Sequence, residues 1–84
     1  MNKQMKDKPE WYDIVERIVR HLLYVADDVK EVERLMLIKD LALPLGVSLV
    51  ENPTVRFLKH GQREVSLRFL VYNKIIFMRV RLCP

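Results

Sequence analysis

The chain has 84 residues, half of them hydrophobic, and carries 15 Lys and Arg against 11 Asp and Glu, for a net charge of +4. This length predicts one domain, and no uncharged apolar stretch approaches the roughly 20 residues of a membrane-spanning helix. A single cysteine excludes an internal disulfide, and the N-terminus lacks the apolar segment of a secretory signal. We therefore expect a cytoplasmic protein without a membrane partner, with a composition typical of a thermophile.

Charge divides along the chain. Residues 1–8 contain three lysines and one aspartate and are predicted to be a flexible basic tail, whereas residues 9–84 are predicted to form a single α+β domain. Residues 10–52 hold nine acidic and five basic residues, but residues 53–84 hold seven basic and one acidic. This asymmetry favours an anionic partner, such as nucleic acid or the acidic surface of a protein.

The first predicted elements are helices. Asp7, Pro9 and Glu10 form a pattern typical of a capping box at a helix start. Apolar residues then recur at steps of three and four, which indicates a helix with one apolar face. The residues of this stripe are Trp11, Val15, Ile18, Leu22, Val25, Val29, Val32 and Met36.

A break divides this helical region. Asp28 and Glu31 repeat the capping pattern, so the sequence predicts one helix near residues 8–26 and another near residues 29–42, ended by Pro44. The alternative is one long helix whose far half pairs with a second chain as a coiled coil.

The C-terminal half is predicted to form an antiparallel sheet. Residues 64–72 and 75–82 are rich in β-branched and aromatic side chains, and a two-residue turn at Asn73 and Lys74 is predicted to join them. The pairs that follow from this turn are Tyr72 with Ile75, Phe69 with Met78, Leu67 with Val80, and Arg68 with Arg79.

Two further strands are predicted upstream. Residues 54–59 join the sheet through His60, with Val55 opposite Leu67 and Phe57 opposite Val65, and residues 47–51 add a fourth strand that turns at Asn52 and Pro53. The predicted fold is a helical hairpin packed on a three- to four-stranded antiparallel meander. Its apolar sheet face consists of Val55, Phe57, Val65, Leu67, Phe69, Val71, Ile76, Met78, Val80 and Leu82.

The opposite sheet face combines basic and aromatic side chains. Guanidinium groups bind phosphates and aromatic rings stack on bases, as in proteins that bind single-stranded nucleic acid. A direct pair of Arg68 with Arg79 is also unfavourable unless an anion lies between them. The leading hypothesis is a small DNA- or RNA-binding protein without catalysis, whose binding residues are Arg56, Arg68, Arg79, Arg81, Tyr72 and Phe77.

The same face supports an alternative, a homodimer or a complex with another protein. A small monomer seldom exposes a cluster of two aromatic and two aliphatic side chains. The hydrophobic centre of this interface is predicted to be Leu70, Tyr72, Ile75 and Phe77, with the arginines as its rim.

Two short stretches resemble known families. Leu41 and Ala42, followed by Gly46, resemble the turn of helix-turn-helix DNA-binding proteins. With Asn52 as its N-cap, the stretch 53–60 becomes a short helix and the following hairpin becomes a wing, which is the winged-helix alternative.

Two helices followed by a basic antiparallel sheet are similar in outline to the small RelE-like ribonuclease toxins, and residues 67–72 resemble one of their strands. The resemblance implies RNA cleavage by Arg56, Arg68, Arg79 and Tyr72. The residues themselves show no catalytic, metal-binding or cofactor motif. We therefore expect no cofactor, no metal site and no enzymatic activity.

Overall fold

In the computed structural model, which describes residues 9–38, 41 and 43–83, two helices pack on a four-stranded antiparallel sheet. The predicted α+β class is confirmed, while the predicted basic tail, residues 1–8, lies outside the described residues. No helix in the described part is long and apolar enough to cross a membrane. The elements are α1 (Glu10–Val25), α2 (Val29–Ile38), β1 (Val47–Leu49), β2 (Thr54–Phe57), β3 (Arg63–Val71) and β4 (Lys74–Leu82).

The break between α1 and α2 is stabilised by side-chain caps. The Glu31 backbone N–H donates to Asp28 Oδ1 at 2.8 Å, and the Asp27 backbone N–H donates to Glu31 Oε1 at 2.6 Å. These bonds confirm the predicted second cap, so the helical region is two helices rather than one. The first predicted cap was wrong, because Pro9 rather than Asp7 is the N-cap of α1 and no side-chain cap bond forms there. Most of the predicted extension of α2 to residue 42 lies outside the described residues.

The core lies between the helices and the inner sheet face. Trp11 meets Phe69 edge-on, with ring centroids 4.9 Å apart. Every side chain assigned to the apolar sheet face is buried or half-buried, whereas Val25 of the predicted helical stripe is 46% exposed. The fully buried side chains include Val15, Val19, Leu23, Val32, Val65, Phe69, Met78 and Val80.

The β3–β4 hairpin differs from its predicted register by two residues. Its turn consists of Tyr72 and Asn73, not of Asn73 and Lys74, and Tyr72 has a φ of 58° in the left-handed region. A shift of two leaves every side chain on its original face, so the apolar pattern does not distinguish the two registers. The observed pairs are Val71 with Lys74, Leu70 with Ile75, Phe69 with Ile76, Leu67 with Met78, and Val65 with Val80; the predicted pairs were wrong.

β1 and β2 lie end to end along one edge of β3. β2 pairs Val55 with Val65 and Phe57 with Arg63, again two residues from the predicted register. β1 pairs Leu49 with Phe69. The predicted fourth strand is present as β1, but the predicted turn at Asn52 and Pro53 was wrong, because residues 50–53 bulge between β1 and β2 opposite only residues 67 and 68.

β2 also occupies residues that the winged-helix alternative assigns to a helix. Thr54–Phe57 is a strand, and the only helical residues near it are the 3-10 turn Lys59–Gly61, within the described part of the chain. This strand contributes the edge of the surface described below.

α1 covers the outer edge of β4. In a two-residue hairpin, alternate β4 residues direct their backbone groups away from β3. The Tyr12 hydroxyl donates to the Phe77 carbonyl at 3.3 Å, and Arg20 Nη1 donates to the Arg81 carbonyl at 2.8 Å. Burial raises the pKa of the Tyr12 phenol, and nearby carboxylates of α1 raise it further, so the phenol remains a donor at neutral pH. The covered edge disfavours pairing with a strand of another chain.

Candidate nucleic-acid interface

The outer face of the sheet is turned away from both helices and carries all four predicted arginines. Arg56 lies on β2, Arg68 on β3, and Arg79 and Arg81 on β4, and each is exposed. The prediction that these four residues share one face is confirmed. The error in register does not affect it, because a shift of two residues leaves every side chain on its original face. The rows across this face are Thr54, Ser66 and Arg79, then Arg56, Glu64 and Arg81.

The predicted direct pairing of Arg68 with Arg79 was wrong. Arg68 lies opposite Phe77 and 3.9 Å from Glu51, while Arg79 lies opposite Ser66. The Arg79 guanidinium is 5.4 Å from the centroid of the Phe77 ring. Repulsion between these two arginines therefore does not favour the binding of an anion. Any attraction of an anion comes from the basic side chains of the outer face together.

Three of the four predicted arginines line a shallow depression of about 220 Å³ on the outer face, and Arg81 is not among its lining residues. Its shape follows from the fold, because the bulge at residues 50–53 forms a rim beside the flat strands β3 and β4. We call this depression the arginine basin. Its lining residues are Glu51, Asn52, Thr54, Arg56, Glu64, Ser66, Arg68, Phe77 and Arg79.

Charges in the basin are only partly paired. Arg81 Nε lies 3.1 Å from Glu64 Oε1, and Arg68 lies at the longer distance from the exposed Glu51. Arg56 and Arg79 form no ion pair with any residue that the structure describes. Exposed ion pairs contribute little, so the guanidinium groups around the basin remain available to an anion.

Tyr72 is not part of the basin. It lies in the hairpin turn with 82% of its surface exposed. A Cβ atom at Gly46 would lie 3.9 Å from the Tyr72 ring, and Tyr72 shares a separate shallow depression with Val71 and Ile76. The structure therefore separates Tyr72 from the arginines with which the sequence grouped it.

Three other predicted interface residues remain together on the outer face. Leu70, Ile75 and Phe77 are 39%, 54% and 50% exposed, and no described element covers them. We call these three side chains the hairpin patch. Phe77 belongs to both surfaces, because it also borders the arginine basin.

Glu64 is the residue that the sequence interpretation missed. It is 7% exposed and is the only buried charged residue in the described part of the chain. The sequence does distinguish Glu64 from its neighbours. It is the one acidic residue after position 52, and it alternates with Ser66 and Arg68 on the outer face.

The fold and this surface define a small two-layer α+β protein with an open basic sheet face. No group of three His, Cys, Asp or Glu residues that could hold a metal ion occurs among the described residues. Comparison with protein-family models, with curated proteins and with solved structures finds no match for this chain.

Proposed function

We propose that the protein binds single-stranded nucleic acid in the arginine basin, without catalysis. The observation that carries this proposal is the convergence of Arg56, Arg68 and Arg79, from three strands, on one open depression bordered by the half-exposed Phe77 ring. Guanidinium groups bind phosphate through directed, charge-assisted hydrogen bonds. The Phe77 ring offers an apolar surface on which an unpaired base can stack.

A single strand suits this surface better than a duplex. A duplex presents its bases inside grooves, which proteins read with a protruding helix or ribbon, whereas the basin is a shallow hollow in a sheet. Bases of a single strand can lie flat on an exposed ring while the flanking phosphates reach the arginines.

The basin brings together only part of what the ribonuclease resemblance implies. Arg56, Arg68 and Arg79 line it, but Tyr72 does not. Both described histidines lie elsewhere, since His21 is on α1 and His60 is in the turn before β3. The lining of the basin therefore includes neither Tyr72 nor a histidine.

The test is an anisotropy titration of a labelled single strand at several salt concentrations. Each phosphate contact with a single strand contributes about 0.7 to the slope of log affinity against log salt. We expect Arg68→Gln/Arg79→Gln to lower this slope by about one to two units. The matched control is Arg17→Gln/Arg34→Gln, which removes the same charge from exposed positions on the helices.

Equal losses in the two double variants would mean that net charge, not the basin, attracts the strand. The absence of binding to single-stranded DNA and RNA at low salt would overturn the proposal. Stronger binding to duplex than to a single strand would overturn the choice of a single strand as the ligand.

The hairpin patch favours a second function, self-association. We infer that two copies associate through their hairpin patches and not through their opposite charges. The acidic helices and the basic sheet face lie on opposite sides of the molecule. Acid-to-base contact between copies is therefore heterologous and forms rings or open chains, whereas patch-to-patch contact closes as a two-fold dimer. Apolar burial of this kind is little screened by salt.

Sedimentation tests the dimer with a matched pair of variants. Ile75→Ser in the patch is expected to shift the protein to monomer, while Ile14→Ser on α1, where the isoleucine is 45% exposed against 54% for Ile75, leaves the mass unchanged. A monomeric parent protein at high micromolar concentration would contradict this second function. Dissociation caused by salt rather than by Ile75→Ser would assign the contact to charge pairing.

A further inference from the structure

The buried carboxylate of Glu64 does not suit a surface that binds phosphates alone. It lies on the floor of the basin between Arg56 on β2 and Arg81 on β4. Its side chain is about nine-tenths buried, with a relative exposure of 10%. A carboxylate accepts hydrogen bonds and donates none, so an N–H donor of a strand matches this position and a phosphate oxygen does not.

The hydrogen bonds of Glu64 are incomplete. A carboxylate has about four acceptor positions on its two oxygens. Within the described part of the chain, the one bond to this side chain comes from Arg81 Nε, which donates to Oε1 at 3.1 Å. Buried acceptors favour a partner that supplies N–H donors, because an unpaired polar group in a dry site is costly.

The basin therefore combines a buried acceptor with donors on its walls. The guanidinium groups of Arg56 and Arg79 carry N–H donors only, and they form no ion pair with described residues. A matching ligand presents adjacent N–H donors to Glu64 and acceptor atoms to an arginine. It also has a flat ring that can reach Phe77.

Among the nucleic-acid bases, guanine fits this combination best. Its Watson–Crick edge carries the N1–H and N2 amino donors side by side, and its O6 and N7 atoms accept a bidentate arginine. Uracil and thymine have one N–H between two carbonyl groups, and cytosine and adenine have an amino group beside an acceptor nitrogen. Only guanine offers two neighbouring donors together with an acceptor pair.

We propose that Glu64 reads an unpaired guanine, with Arg56 or Arg79 on its O6 and N7 atoms. This inference rests on the proposed binding of single strands. It also gives a reason to exclude duplex, because base pairing already uses the N1–H and the N2 amino group.

The test compares labelled uridine strands of about nine nucleotides that differ only at the central base. Guanine at the centre is expected to bind about 5- to 100-fold more tightly than uracil, by the discrimination typical of one bidentate pair. Inosine, which lacks the N2 amino group, is expected to fall between them. Equal affinity for all central bases would overturn the guanine assignment while leaving the proposed function intact. No binding by any strand would overturn both.

A variant separates base recognition from a structural role. Glu64→Gln keeps the size of the side chain but removes the charge and one acceptor, so we expect the guanine strand and the all-uridine strand to bind this variant equally. Weaker binding of every strand by one common factor would mean that Glu64 only positions Arg81. The strand series on the unaltered protein tests the assignment even if this variant does not fold.

Competition distinguishes a strand from a free nucleotide. GMP has no flanking phosphodiesters, so it is expected to displace the guanine strand only in large excess, and UMP at the same concentration is expected to be weaker still. Displacement by GMP at the concentration of the strand itself would retain guanine and overturn the strand as its source.

Discussion

Phe69→Ala is expected to leave a large fraction of the molecules unfolded under conditions in which the parent protein is folded. Phe69 is 0% exposed, and its ring receives the edge of Trp11 from α1. Removing a buried phenylalanine ring costs about 3 to 5 kcal/mol, because the surrounding core does not close the cavity. A domain of this size has a free energy of unfolding of roughly 3 to 5 kcal/mol, so the substitution removes nearly all of this stability. Urea unfolding followed by circular dichroism measures the change.

The hairpin supplies a matched control for this prediction. Phe77→Ala makes the same chemical change on the opposite face of the sheet, where the ring is 50% exposed. Its expected cost is below about 1 kcal/mol, since surface substitutions seldom cost more. Similar losses in Phe69→Ala and Phe77→Ala would contradict the assignment of one buried and one exposed sheet face.

The two faces of the sheet could be predicted because side chains alternate along a strand. Phe69 and Met78 point inward and Arg68 and Arg79 outward in either register, so the composition of each face follows from the sequence pattern alone. The cross-strand pairs did not follow, because two registers that differ by two residues bury the same side chains. The actual register depends on the backbone of Tyr72, whose φ of 58° is uncommon for a tyrosine.

The basin was predictable in its arginines but not in its shape. Arg56, Arg68 and Arg79 alternate with core residues and were grouped correctly. The shape of the basin depends on the bulge at residues 50–53, where the sequence instead predicts a turn at Asn52 and Pro53. Asn and Pro both favour irregular backbone, so Asn52 and Pro53 are compatible with a turn and with a bulge. Only the pairing of β1 with β3 distinguishes the two.

Arg63, a residue of β3, helps to hold α1 against the sheet. The sequence of α1 alone does not predict this contact. The last turn of α1 contains no basic residue, so no side chain of the helix itself neutralises its C-terminal carbonyl groups. Arg63 from β3 supplies this charge, and its Nη1 donates to the Leu23 and Ala26 carbonyls at 2.7 Å each. The guanidinium also stacks at 4.5 Å over the ring of Phe57, its cross-strand neighbour.

Arg63→Met is therefore expected to destabilise the domain by about 2 to 3 kcal/mol, because it leaves two helix carbonyls without their charged donor. Methionine keeps an apolar stem against Phe57, so the loss reports the hydrogen bonds rather than the packing. Urea unfolding gives the total, and amide hydrogen exchange is expected to quicken most in the last turn of α1.

Two further variants identify what Arg63 contributes. Arg34→Met removes an exposed arginine from α2 and is expected to change the stability by no more than about 0.5 kcal/mol. Arg63→Lys keeps the charge on a shorter stem without the planar guanidinium, so it should recover part of the loss if attraction to the helix terminus contributes, and little if the fixed hydrogen-bond geometry dominates. If Arg63→Met were no more destabilising than Arg34→Met, the two carbonyl contacts would have no role in holding α1 against the sheet.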